Sequence, residues 1–241
     1  MIDFDLMRSA ASAVGVTLTD EHIARLDTYA ALLVEWNEKM NLTAITDPHD
    51  IAVKHFADSL AALPHLPEGK FSLIDVGTGA GFPGIPLAIL RPDMKLTLLD
   101  SLNKRLLFLQ EVCDKVGVSA ATVHARAEDA AREAAYRERF DVATARAVAA
   151  LPALAEYCLG YVKVWGRFLA LKGPDAGDEI AAAKPAIGQL GGRLGEVYPF
   201  ELPPNAAGEC DGRTIVRIDK IKTTPPAFPR RGTKIAKNPL K

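Results

Sequence analysis

The stretch that decides the fold is Leu73-Ile74-Asp75-Val76-Gly77-Thr78-Gly79-Ala80-Gly81-Phe82-Pro83-Gly84. Leu73, Ile74 and Val76 form a short apolar run, the pattern of a strand covered on both faces. Asp75 interrupts that run just ahead of the glycines. Gly77, Gly79 and Gly81 give a loop without Cβ atoms, in which a ligand can lie directly against main-chain N–H groups. Ile85 to Leu90 read as a short helix, with Pro86 tolerated in its first turn. Strand, glycine loop and helix predict the first half of a nucleotide-binding βαβ unit.

Gly79, Gly81 and Gly84 fit the GxGxxG spacing of a dinucleotide site, a weak match on its own. A pyrophosphate needs free N–H groups at the helix start, and Pro83 and Pro86 remove two of them. A carboxylate at Asp75 would repel a diphosphate and suits a ligand with a positive end. S-adenosylmethionine has an ammonium and a sulfonium and no phosphate, so it is favoured over a nicotinamide cofactor. The plain alternative is a tight strand–helix turn with no ligand, although alternate glycines lower stability unless something approaches them closely.

The chain of 241 residues allows one core of ordinary size with a small added lobe. Hydrophobic residues make up 49%, which argues against wholesale disorder, and a formal charge of −1 gives no global sign of a nucleic-acid partner. Cys113, Cys158 and Cys210 are far apart, with no CxxC pair, so neither a disulfide nor a zinc site is expected. Asp3, Asp5 and Arg8 break any signal peptide, and no apolar run approaches the roughly 20 residues of a membrane span. A cytoplasmic monomer without metal is expected.

Residues 1–65 read as a helical extension, 66–222 as the main domain and 223–241 as a basic, extended C-terminal tail. In the first part Thr19 caps a long helix, Asn37 to Thr46 form a polar bend, and Pro48 starts a third helix. His55, Asp58 and Ser59 on it are equally readable as polar surface or as part of an active-site mouth. From Phe71 strands alternate with helices, which implies a parallel sheet. Strands are predicted at Ser72–Val76, Lys95–Asp100, Ala121–Ala125, Phe140–Ala145 and Arg167–Lys172. Helices are predicted at Asn103–Val116, Glu128–Arg139, near Leu151–Leu159 and at Asp178–Leu190. Two last strands, Arg193–Glu201 and Arg213–Ile221, form an antiparallel hairpin at one edge. This order is similar to the class I S-adenosylmethionine-dependent methyltransferase fold, a Rossmann-like α/β sheet of seven mostly parallel strands.

In such sheets ligands sit at the carboxyl ends of the strands. Those ends carry Asp75 with its glycines, Asp100, Ala127-Glu128, Arg146 and Lys172. Asp100 can accept both hydroxyls of an adenosine ribose, or serve only as a helix N-terminal carboxylate. Ala127 and Glu128 can read an adenine edge, with plain helix-start charge as the alternative. Lys104 and Arg105 oppose the dipole of the helix they begin, which hints at an anionic partner. Arg126 and Arg146 can hold a carboxylate or phosphate or stack on a base. The five histidines show no metal-ligand spacing, and Trp36 and Trp165 read as core or interface. From Lys220 to Lys241 there are seven Lys or Arg and no acidic residue, among them Arg230, Arg231 and Lys234. With Phe228 and four prolines, this segment suits a phosphate backbone, or is simply disordered.

Together these motifs resemble the bacterial 16S ribosomal RNA guanine-N7 methyltransferases, the glucose-inhibited division protein B family. The resemblance runs through Trp36-Asn37, Asn41-Leu42-Thr43, His55-Phe56-Ala57-Asp58-Ser59 and Asp75 to Pro86, whose Gly-Phe-Pro-Gly-Ile-Pro continuation generic methyltransferases lack. It continues through Leu98-Leu99-Asp100-Ser101 with Lys104-Arg105, Arg126-Ala127-Glu128, Arg146-Ala147, Leu171-Lys172-Gly173, Pro229-Arg230-Arg231-Gly232 and Pro239-Leu240. It implies methyl transfer from S-adenosylmethionine to N7 of a guanine in the decoding-region loop of 16S RNA. Gly77, Phe82, Ala127-Glu128 and Arg146 would then contact cofactor, and Arg126, Lys172 and the tail would face RNA, free or in the small ribosomal subunit. Guanine N7 has an exposed lone pair and no proton, so no general base is required. The alternatives are a small-molecule methyltransferase, a nicotinamide-dependent reductase and a non-catalytic RNA-binding protein. The basic tail disfavours the first, and Pro83 and Asp75 the second.

Overall fold

In β1 (Ser72–Val76) successive side chains leave opposite faces: Leu73 enters one hydrophobic core, Ile74 and Val76 another. The same division recurs in β2 (Lys95–Asp100), β4 (Phe140–Arg146), β5 (Val162–Lys172) and β7 (Gly212–Lys220). A sheet apolar on both faces must be covered on both. With β3 (Ala120–His124) and β6 (Gly192–Glu201) these strands form one seven-stranded sheet in the order β3-β2-β1-β4-β5-β7-β6. Only β7 is reversed, pairing antiparallel with β5 and with β6. The structure, a computed structural model, describes residues 2–240.

One face is covered by α1 (Phe4–Ala13), α2 (Asp20–Met40), α5 (Gly84–Leu90) and α6 (Asn103–Val116). Thr19 caps α2 by accepting from the His22 N–H at 3.2 Å, as its sequence predicts. The N-terminal helices share one continuous core with β1, β2 and α6, so residues 2–65 are integral to the main domain. The helix expected from Pro48 begins as α3 (Pro48–Asp50), widens into a π-helix over Ile51–Ala57 and closes as α4 (Asp58–Leu60). The other face is covered by α8 (Leu151–Cys158), α9 (Gly177–Gln189) and the C-terminal segment. Among the described residues no helix is long and apolar enough to cross a membrane.

Three expectations are corrected. The charged helix read at 128–139 stops after one turn as α7 (Ala127–Ala130). Its later charges clamp the C-terminal segment: Arg137 donates to the carbonyls of Thr224, Pro225 and Phe228, and Glu138 Oε1 accepts from Thr224 N at 2.7 Å. The tail is not simply extended, because α10 (Gly232–Lys237) forms within it and buries Ile235. Trp165, read as core or interface, is not in the core: β5 spends the stretch between Val162 and Arg167 opposite the step from Phe140 to Val142, and this bulge leaves the indole 85% exposed at φ +73°.

The tail is held chiefly by Arg230. Its side chain meets the fully buried Glu156 of α8 at 2.7 Å, while its main-chain N–H donates to the same carboxylate at 2.7 Å. Removing one partner of a buried pair strands the other charge, at a cost of about 3–5 kcal/mol. We therefore expect Arg230→Ala to lower unfolding free energy by about 3 kcal/mol in urea titrations. Arg231→Ala, whose side chain is exposed, should change it by less than about 0.5 kcal/mol.

Candidate active site

The glycine loop owes its shape to internal bonds. Gly77 and Thr78 donate to Leu99 O at 2.8 and 3.0 Å, Gly79 donates to Asp100 Oδ2 at 3.0 Å, and Gly81 donates to Thr78 O at 2.8 Å. These N–H groups are therefore spent, which corrects the expectation that they face a ligand. Gly81 lies at φ +97°, and a Cβ there would overlap Tyr29 Oη and come within 2.8 Å of Leu109. At Gly84 a Cβ would come within 2.9 Å of Asp75 Oδ2. At these two positions it is protein packing that requires glycine.

Asp75 lies beneath the loop, fully buried, and does not line the cavity described below. Its Oδ2 accepts from Thr78 Oγ1 at 2.7 Å and Gly84 N at 3.0 Å, while its Oδ1 has no hydrogen-bond partner. Burial pushes its carboxyl up to about 6, against the opposing pull of the Thr78 and Gly84 hydrogen bonds.

A cavity of about 1050 Å³ opens at the carboxyl ends of β1 to β4. Gly77, Asp100, Arg126, Ala127 and Glu128 line it, as do Arg105 and Arg231, so seven of the residues singled out in the sequence converge. Asp100 is oriented by N–H donors on both oxygens: Leu102 N reaches Oδ1 at 2.9 Å, and Gly79 N reaches Oδ2. Arg105 also lines the cavity and approaches Asp100 at 3.4 Å, and Lys104 is exposed nearby on α6. Ala127 is fixed from behind by the Tyr161 hydroxyl, which donates to its carbonyl at 2.5 Å. Across the opening stand Tyr157 of α8 and, from the tail, Arg231, Thr233 and Ala236. Tyr157, Thr233 and Ala236 were not expected; no local motif announces them, because Tyr157 is brought by the packing of α8 and the other two reach the cavity only when the tail docks.

Gly79, Phe82, Arg146 and Lys172 do not line this cavity. Phe82 is buried between Tyr29 and His55, at ring-centroid distances of 5.2 and 4.5 Å, with the Arg146 guanidinium 4.9 Å away. Arg146 is bonded to Asp58 at 2.7 Å and to the Lys54 and His55 carbonyls of the π-helix. His55 and Asp58 are thus interior partners of Arg146, and burial with the nearby Arg146 charge lowers the imidazole to about 3. Lys172 is paired with Glu179 at 2.7 Å and donates to Ala149 O at 3.1 Å. It ties the 147–150 loop to α9, which overturns its reading as a free cation facing RNA. Arg230 is likewise spent on Glu156, whereas Arg126, Arg231 and Lys234 are exposed.

A family model described as rRNA small subunit methyltransferase G matches residues 22–200. The chain belongs to that family. A relative from Clostridium perfringens (strain 13 / Type A), ribosomal RNA small subunit methyltransferase G, is 48% identical over 241 residues, covering 99% of each chain. The namesake from Acetivibrio thermocellus is 46% identical over 236 residues, covering 98% of this chain and 96% of that one. In fold the chain is similar to M. jannaschii TYW2, solved in complex with AdoMet, at a TM-score of 0.51 and 14% identity over 65% of this chain and 72% of that one. The family assignment makes the sheet a class I methyltransferase fold acting on ribosomal RNA.

The raised value of Asp75 has a sign that can be tested. The folded chain keeps a proton that the unfolded chain releases, so stability falls as pH rises from about 4 to about 6, and the loss is complete above that. Asp75→Asn retains an acceptor for Thr78 and Gly84 but cannot ionise. Its stability relative to the parent should rise across that window and level off at up to about 3 kcal/mol, measured by urea unfolding at stepped pH.

Proposed function

We propose that this chain transfers a methyl group from S-adenosylmethionine to N7 of a guanine in the decoding-region loop of 16S ribosomal RNA. The observation that carries the reading is the cavity itself: a buried, pre-oriented Asp100 carboxylate beside a glycine loop with no N–H nest left for a pyrophosphate. A diol fits such a carboxylate and a diphosphate does not, so the donor set suits a nucleoside cofactor without phosphate. S-adenosylmethionine would supply a methyl group already activated on a sulfonium. Asp100 would accept the ribose hydroxyls, and Ala127 with Glu128 would meet the adenine.

The chain's remaining task is alignment in a pocket from which water is excluded. Neither histidine nor lysine lines the cavity among the described residues, and N7 asks for neither, having no proton to lose. Asp100, Glu128 and Asp129 line the space together with Arg105, Arg126 and Arg231, so the carboxylates that could favour the cationic product are offset by an equal number of cations. Arg126 and Arg231 at the rim, with Lys104 and Lys234 exposed on flanking helices, would hold phosphates of the RNA, as free RNA or within the small subunit.

Calorimetry should detect S-adenosylmethionine binding that Asp100→Ala weakens by at least about tenfold, the loss of about one charge-assisted contact. Tritium from labelled cofactor should enter 16S RNA and map to one guanine, and RNA carrying 7-deazaguanine there should accept none. Methylation that persisted on 7-deazaguanine would move the target off N7. Arg126→Ala and Arg231→Ala should each reduce the slope of log affinity against log salt by about one, leaving cofactor affinity nearly unchanged for Arg126.

A further inference from the structure

The tail reaches the cavity by a specific route. Lys220, fully buried, donates to Leu159 O and Thr224 Oγ1 and sits 3.2 Å from Glu138. Arg132 and Arg137 then hold the carbonyls of the 224–229 stretch, and Arg230 locks onto Glu156. The next residue, Arg231, is the first at the cavity, and α10 then presents Gly232, Thr233 and Ala236 to it. Gly232 faces Glu128. A Cβ built on Gly232 would overlap Glu128 Oε1 and come within 2.7 Å of its Cδ.

Gly232 has no left-handed φ to explain its glycine, unlike Gly77 or Gly81. As the first residue of α10, Gly232 still forgoes part of the up to about 1 kcal/mol by which alanine is favoured over glycine in a helix. What it provides is room: with hydrogen in place of a methyl group, the Glu128 carboxylate can occupy the site it shares with the cavity. An added methyl would displace that carboxylate, the flexible end of its side chain, before it moved the backbone.

We propose that Gly232 is a positioning residue of the cofactor site, through which the docked C-terminal segment sets the Glu128 carboxylate against the adenine side of the cavity. This rests on the reading of the cavity as an S-adenosylmethionine site. The tail is then a wall of that site as well as a carrier of RNA-binding charge.

A double-mutant cycle tests it, with S-adenosylmethionine and S-adenosylhomocysteine affinities measured by calorimetry on the full chain. Gly232→Ala should weaken both by about five- to tenfold, with a melting temperature equal to or above that of the parent, since alanine favours the helix. In a Glu128→Ala background the same substitution should change affinity less than about twofold, because the group it acts through is gone. An equal loss in both backgrounds would overturn the proposal, as the methyl group would then act on the ligand directly. No loss in the parent background would overturn it as well. If Gly232→Ala does not fold, Glu128→Asp should restore folding and measurable binding by withdrawing the carboxylate, and failure to do so counts against the proposal. Absence of binding by the parent protein would instead sink the cofactor reading on which the proposal stands.

Discussion

One buried carboxylate oxygen organises the candidate active site. Asp75 Oδ2 accepts from the Thr78 hydroxyl and the Gly84 amide, tying the end of β1 to both sides of the glycine loop and to the start of α5. The loop is then folded against β2, where Gly77 and Thr78 bond the Leu99 carbonyl and Gly79 bonds Asp100. The same bonds that close the loop therefore aim the Asp100 carboxylate. Leaving Asp75 Oδ1 buried without a partner costs about 1–3 kcal/mol, a local expense that the surrounding packing sustains.

The N-terminal helices are part of this arrangement. Tyr29 of α2 donates its hydroxyl to Ala80 O and stacks on Phe82, so the loop is supported from the side away from the cavity. Phe82 in turn lies between Tyr29 and His55, beside the Arg146 guanidinium. The π-helix widens the backbone where the Lys54 and His55 carbonyls turn to Arg146, and Asp58 supplies its counter-charge. These residues act on the site by holding the loop and the end of β4.

A division of labour among the cations follows from burial. Arg146, Lys172, Lys220 and Arg230 are each matched to a carboxylate or carbonyls inside the fold, where an unpaired charge would be costly. Arg126, Arg231 and Lys234 remain exposed around the opening. A chain with a formal charge of −1 thereby presents cations at the one rim where a polyanion would have to approach.

Local pattern determined the sheet. The short continuous apolar runs, the glycine loop and Gly117 after α6 placed β1, β2 and α6 at the bounds observed, because each is stabilised by short-range geometry. The place of Asp100 and Ala127-Glu128 at the cavity was legible for the same reason, since ligand clefts in parallel sheets open at the carboxyl ends of the strands. Tertiary structure decided what each charge does. Nothing near Lys172 or Arg230 in sequence shows that Glu179 or Glu156 will neutralise it, and nothing in 128–139 shows that its charges will clamp the tail. Likewise Gly81 looked like a ligand-facing position and Gly84 like the end of a weak dinucleotide motif, but Tyr29, Leu109 and Asp75 fill the space beside them. Backbone periodicity is written in neighbouring residues, whereas the partner of a long charged side chain is whichever opposite charge or carbonyl the folded chain brings within about 3 Å, and only the assembled fold sets that distance.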